Sequence, residues 1–282
     1  MTVIHNVDST EEHTINVLSF CSGYAGIERG LDLAGVKHRV LAYVEIEAFA
    51  IANLVAKMED GTLESAPIYT NLKTFPAHLF RDCVDLITGG YPCQPFSSAG
   101  KRLGDEDPRH LWPYIADAID DVRPGRVFFE NVDGHISMGL REVLSALEGR
   151  GYRQTWGVFS AAEVGAPHQR KRVFIMADAG CSSSAEGEQP SEPRPARTSE
   201  PSAGARGGMH EGANEEGSRW AARPGQEQYS WEEPRTIRRT QPGMGGAPDG
   251  SANRVDRLRL LGNGVVPQTV AKAWTTLTEQ FI

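Results

Sequence analysis

The sequence predicts an α/β fold, a mostly parallel sheet with helices on both faces, followed by a small irregular lobe. Three observations predict it. Up to about residue 179, short β-rich runs alternate with amphipathic helical segments. Strands alternating with helices form crossover units, which place parallel neighbours in one sheet covered on both sides. From residue 181 to about 250 the chain turns to Gly, Pro, Ser, Glu and Arg and is almost free of aliphatic side chains. Such a stretch cannot bury enough apolar surface to offset its ordering entropy, and it reads as largely disordered. Order then returns near Asn253, and Pro267 opens a last helix, as proline in a first helical turn should.

Taken in order, residues 16–20 read as the first strand and 26–34 as the helix after it, stopped by Gly35. Residues 40–44 form a second strand, 48–58 a helix, 68–70 a short third strand, and 84–88 a fourth. Residues 111–122 are helical, 127–129 are the fifth strand, and 137–147 are another helix. Residues 152–159 and 172–176 pair as an antiparallel hairpin at one sheet edge. The last helix covers 268–281. The expected units are 14–179, 180–252 and 253–282.

The 282 residues suffice for a full core. The four cysteines are scattered, with no Cys-x-x-Cys pair, so neither a disulfide framework nor a zinc site is indicated and a reducing cytoplasm fits. Residues 1–13 are polar, and no segment is long and apolar enough to span a bilayer. A net charge of −8 argues against coating nucleic acid by bulk charge but allows a local basic cleft. His168 to Arg172, Lys101-Arg102, Arg235 with Arg238-Arg239, and Arg254 to Arg259 are candidate patches; each alone is more simply a solvated face.

Gly89-Gly90-Tyr91-Pro92-Cys93-Gln94-Pro95-Phe96-Ser97 follows the apolar run Val84 to Ile87. A thiol in a loop stiffened by prolines, at the carboxyl edge of a parallel sheet, lies where open α/β folds bind ligands. Cys21-Ser22-Gly23-Tyr24-Ala25-Gly26 joins the first strand to its helix, and its small residues let backbone N–H groups approach a ligand. Glu45, ending the second strand, is placed to hold ribose hydroxyls; read alone it is equally a solvent-facing carboxylate. Glu130-Asn131-Val132 emerges from an apolar strand onto the same edge as Cys93, and burial there would raise the carboxyl pKa. In Ala166-Pro167-His168-Gln169-Arg170-Lys171-Arg172, strand alternation would point Arg170 and Arg172 the same way, so that two guanidiniums could pair a carboxylate and hold a carbonyl or phosphate oxygen; His168 would share that face, in an ordinary hydrogen-bonding role.

In this order and spacing these elements resemble the cytosine-C5 DNA methyltransferases of bacteria and phages. The specific parts are Gly90 to Ser97, Glu130-Asn131-Val132, Arg170-Lys171-Arg172-Val173 and Gly262-Asn263-Gly264-Val265-Val266-Pro267. The resemblance implies a Rossmann-like catalytic domain, S-adenosylmethionine as cofactor, a small target-recognition lobe, and a last helix that returns to the catalytic domain. It implies Cys93 as the nucleophile on cytosine C6, Glu130 as partner of N3 and the exocyclic amine, Arg172 on O2, and Arg170 organising the site. Cys21, Gly23, Tyr24, Gly26, Glu45, Asn71, Leu72, Pro92, Asn263 and Val265 would bind the cofactor. Gln94, Ser97, Arg235, Arg238 and Arg239 would touch DNA. The family often has Phe where Cys21 stands, an acidic residue where Asn71 stands and Gln where His168 stands. No metal is needed, because the sulfonium already provides a good leaving group.

The implied partner is double-stranded DNA, with a cognate restriction endonuclease as a candidate companion; a cytoplasmic monomer is expected. Three other readings compete. A tRNA cytosine-C5 methyltransferase shares the layout. A non-catalytic DNA-binding relative would not need Cys93, Glu130, Arg170 and Arg172 together. A nicotinamide-dependent dehydrogenase would need a Gly-x-Gly-x-x-Gly turn that residues 23–26 lack.

Overall fold

The computed structural model describes residues 14–92, 111–180 and 262–281. The strands are β1 (Ile15–Phe20), β2 (His38–Val44), β3 (Ile68–Tyr69), β4 (Leu86–Gly89), β5 (Arg126–Val132), β6 (Arg153–Ser160) and β7 (Lys171–Asp178). They form one seven-stranded sheet in the order β3-β2-β1-β4-β5-β7-β6. β3, β2, β1, β4 and β5 pair in parallel, whereas β7 is antiparallel to both β5 and β6. The expected hairpin therefore forms, and of its two strands only β6 is an edge of the sheet. β7 lies inside, because Val173 to Ala177 are fully buried and need cover on both sides.

The helices are α1 (Gly26–Leu33), α2 (Ala48–Glu59), α3 (Trp112–Val122), α4 (His135–Met138), α5 (Leu140–Glu148) and α6 (Pro267–Thr278). Alternate strand residues feed opposite faces. Leu18, Ile87, Phe129 and Ile175 pack with α3 and α5. Val17, Leu86, Phe128 and Phe174 pack with α1, α2 and α6. The result is a Rossmann-like sandwich of three layers.

Local chemistry sets the boundaries. Gly35, at φ 75°, ends α1 in a left-handed turn in which the Val36 N–H donates to the Leu31 carbonyl at 3.0 Å. Pro267 begins α6, as expected; that helix stops at Thr278, and Glu279–Phe281 form a 3-10 turn. The single helix expected at 137–147 is instead two, parted at Gly139. A Cβ there would stand 2.9 Å from the His135 ring, so this close approach requires glycine. α6 lies tightly on α1: a Cβ at Gly30 would sit 2.3 Å from Cβ of Val270.

Candidate active site

From β1 the chain winds outward to β2 and β3, then returns to place β4 on the other side of β1. The crevice beyond the carboxyl ends of β1 and β4 is thus the topological switch point, where open α/β sheets bind ligands. Phe20 and Gly89 are partners at these ends. A Cβ on Gly89 would stand 3.2 Å from the Phe20 carbonyl oxygen, and one on Gly90 3.3 Å from Oε2 of Glu130. The exit of β4 is therefore pressed between β1 and β5.

The loop after β1 is tightly turned, with Cys21, Gly23 and Ala25 at φ 49°, 55° and 62°. Glu45, 6% exposed, holds it: Oε2 accepts from the Gly23 N–H at 2.7 Å, and Oε1 from the Glu47 N–H at 2.8 Å. Burial, and then the Glu45 charge, push the Cys21 thiol up to about 12, so it stays neutral. Sequence reasoning missed Lys57 on α2. Its ammonium donates to the Tyr24 carbonyl at 2.6 Å and lies 5.1 Å from the centre of the Tyr24 ring. A lone lysine on an amphipathic helix carries no motif to reveal this.

The segment before α6 closes onto the same loop. The Tyr24 hydroxyl donates to the Val265 carbonyl. Gly26 admits Val265, whose Cγ1 would lie 2.9 Å from a Cβ. Arg170 donates to the Gly262 carbonyl at 2.8 Å and also to that of Gly264. Arg170 stands just before β7 at φ 37°, so strand alternation does not govern it as the sequence suggested. It nevertheless lies near enough to Arg172 and Glu130 for their charges to act on it.

Glu130 pairs with Phe174 across β5 and β7, and Val132 with Arg172. Residues 130 and 132 share a face, so Arg172 is the diagonal neighbour of Glu130. Its Nε lies 2.8 Å from Glu130 Oε1. Burial drives the Glu130 carboxyl up to about 7, against the opposing pull of Arg172 and then Arg170. The carboxyl is thereby poised to hold or release a proton at neutral pH.

Two further buried contacts link the exits of β4 and β5. The Asn131 amide donates to the Tyr91 carbonyl at 3.1 Å. The Tyr91 hydroxyl and His135 Nε2 are hydrogen-bonded at 3.1 Å. Sequence reasoning passed over His135; its only signal was a histidine four residues beyond Asn131.

Other expected site residues are less closely gathered. Leu72 is buried in the core, and Asn71 is exposed, its Oδ1 accepting from the Lys73 N–H at 3.0 Å. The Glu45 N–H donates to the Tyr69 carbonyl at 2.9 Å, which brings the end of β3 beside Glu45. Pro92, Asn263 and His168 are exposed. Cys93, Gln94, Ser97, Arg235, Arg238 and Arg239 lie outside the described residues, as does the expected recognition lobe.

Known proteins share this layout. The model of the C-5 cytosine-specific DNA methylase family matches residues 15–216. The Type II methyltransferase M.NaeI of Lentzea aerocolonigenes is 34% identical over 170 residues, covering 58% of this chain and 40% of the relative. M.BsuRI of Bacillus subtilis is 31% identical over 198 residues, covering 61% and 45%. The chain thus spans less than half the length of these relatives. A crystal structure of Spodoptera frugiperda DNMT2 superposes with a TM-score of 0.51 at 24% identity, covering 64% of this chain and 53% of that one, which speaks for the fold. With the model matching well over half of its length, this chain belongs to the C-5 cytosine-specific DNA methylase family.

Proposed function

We propose that this protein transfers a methyl group from S-adenosylmethionine to C5 of a cytosine in double-stranded DNA. The observation that carries the reading is Glu130: a buried carboxyl held near 7 beside Arg172, at the end of β5 and facing the exit of β4 that leads to Cys93. A base inside a duplex hides its ring atoms, so the target cytosine must be flipped out.

Glu130 donates its proton to N3 of the flipped base and accepts from the exocyclic amine, which makes C6 electrophilic. Arg172 braces Glu130 and contacts O2. The Cys93 thiolate adds to C6, and the electron pair of the C5–C6 bond becomes nucleophilic at C5. The cofactor supplies an electrophilic methyl on a sulfonium, with a neutral thioether as leaving group. C5 then loses its proton to a base at the site, Cys93 leaves as thiolate, N3 returns its proton to Glu130, and the ring is restored.

The first turn fits this cofactor. Gly23 faces open space where a side chain would stand. Each Glu45 oxygen takes one backbone donor and keeps lone pairs for hydroxyls. Gly23 and Gly26 would bound the methionine end and Glu45 the ribose, with Leu72 and Pro92 at the adenine and Asn263 and Val265 closing over the methionine. Gln94, Ser97, Arg235, Arg238 and Arg239 would contact DNA.

The test is base-resolution 5-methylcytosine sequencing of unmethylated plasmid incubated with the protein and S-adenosylmethionine, with Cys93→Ser in parallel. Methylation confined to one short motif and lost in the variant is expected. A folded protein that leaves the plasmid unmethylated overturns the reading.

A further inference from the structure

The pairing of β4 with β5 ends at Gly89 and Phe129. Beyond it, Gly90, Tyr91 and Pro92 leave the sheet while Glu130 continues in its ladder with β7. A reaction that uses a group on each exit needs their separation held closely, since a misplacement of about 1 Å can cost roughly 100-fold in rate. Backbone pairing between β4 and β5 does not extend this far, so side chains have to set the distance.

Three buried side chains do so. Asn131, next to Glu130, donates its amide to the Tyr91 carbonyl and accepts the Val132 N–H at 2.9 Å on its own oxygen, so its plane is fixed from both ends. Tyr91 is 4% exposed and wedged between Trp112 and Phe129, with ring centres 5.7 and 5.8 Å away. Its hydroxyl meets Nε2 of His135, itself 4% exposed. Gly139 passes close beside its ring, where a Cβ would stand only 2.9 Å away. Burial also lowers its pKa to about 4, so the imidazole is neutral at working pH.

Packing alone does not call for an imidazole here. Nδ1 is buried with no hydrogen-bond partner among the described residues, a penalty that an apolar side chain would avoid. What the imidazole adds is the bond to Tyr91. Tyr91 stands two residues before Cys93, so their Cα atoms are at most about 7 Å apart.

We propose that His135 is a positioning residue for methyl transfer: through the Tyr91 hydroxyl, and together with Asn131, it locks the exit of β4 onto the exit of β5 and so sets the approach of Cys93 to the base held by Glu130. The inference rests on reading Cys93 as the nucleophile.

The test compares the full chain with Tyr91→Phe, His135→Leu, His135→Gln and Cys93→Ser. The substrate is a duplex carrying the methylated site found in the plasmid experiment. Turnover at saturating cofactor, KM for S-adenosylmethionine, thermal midpoint, and the rate of covalent trapping on the same duplex with 5-fluorocytosine at the target are measured. Tyr91→Phe keeps the ring and its packing, so it stands as the decisive variant should His135→Leu fail to fold. Tyr91→Phe and His135→Leu are expected to slow turnover and trapping by about 10-fold while changing the cofactor KM by no more than about 2-fold. His135→Gln, which keeps a polar group near the Nε2 position, should recover most of the rate. Turnover and trapping by Tyr91→Phe at the wild-type rate, or a loss seen only in thermal midpoint or cofactor KM, overturns the inference. Trapping that persists in Cys93→Ser, or is absent from an active wild type, overturns the nucleophile assignment instead, and the inference falls with it.

Discussion

Arg172 Nε lies 2.8 Å from Glu130 Oε1, yet the carboxyl is raised to about 7 rather than held low. Removing the carboxyl from water outweighs the attraction of its guanidinium partner. An ion pair at the surface would do the opposite.

The first prediction concerns pH and stability. In the unfolded chain the carboxyl titrates near 4.5, and in the folded protein near 7. The folded state binds this proton more tightly, so the contribution of Glu130 is fully present below the unfolded value and is lost as pH rises through the folded one. Urea unfolding from about pH 5 to about pH 8 should show wild type losing more stability than Glu130→Gln. Parallel profiles would show that Glu130 does not titrate in this window.

Arg172→Met removes the main force holding Glu130 down, so the carboxyl should stay protonated to a higher pH. Breaking a buried pair ordinarily costs about 3–5 kcal/mol, because a charge is stranded. Here the carboxyl neutralises instead. The loss relative to wild type should be small near pH 6 and grow by about 1.4 kcal/mol per pH unit above about pH 7. A loss that does not vary with pH would contradict this.

Gly30→Ala tests the contact of α1 with α6. The new methyl would fall 2.3 Å from Cβ of Val270 and 2.9 Å from the Pro267 carbonyl oxygen, so the helices must part. Overpacking of this kind costs about 1–3 kcal/mol. Adding Val270→Ala, which keeps that Cβ and empties a buried site, should not restore the wild-type midpoint in a thermal melt. A single variant as stable as wild type would mean that α6 is not seated on α1 in solution.

Tyr24→Phe removes the hydroxyl that donates to the Val265 carbonyl and leaves the ring. A lost hydrogen bond of this type costs about 1 kcal/mol. The rise in thermal midpoint on adding S-adenosylmethionine should shrink, because the segment that closes over the first turn is less firmly held. An unchanged ligand-induced rise would show that this fastening does not serve the cofactor.

What could be read along the chain was what local sequence decides. The apolar run Val84 to Ile87 before Gly89-Gly90 marked a strand and its exit. Phe128 and Phe129 placed Glu130 at a strand end, and Pro267 set the start of α6. Strand period, glycine and proline act within a few residues, so the alternating α/β pattern and the chain positions of Glu45, Glu130 and Arg172 followed from them. Contacts between distant segments were beyond that reach. The insertion of β7 between β5 and β6 depends on which neighbours bury Val173 to Ala177. The break at Gly139 depends on where the His135 ring packs, and Arg170 turns to the carbonyls of Gly262 and Gly264, more than 90 residues away in the chain. The sequence by itself determined the repeating order of elements and where Glu45, Glu130 and Arg172 stand along them, because these follow from side-chain chemistry and short-range periodicity. Only the tertiary structure decided that burial would outweigh Arg172 at Glu130, and that Tyr91 would meet His135. Desolvation and packing are properties of the whole assembled core, and no single stretch of chain encodes them.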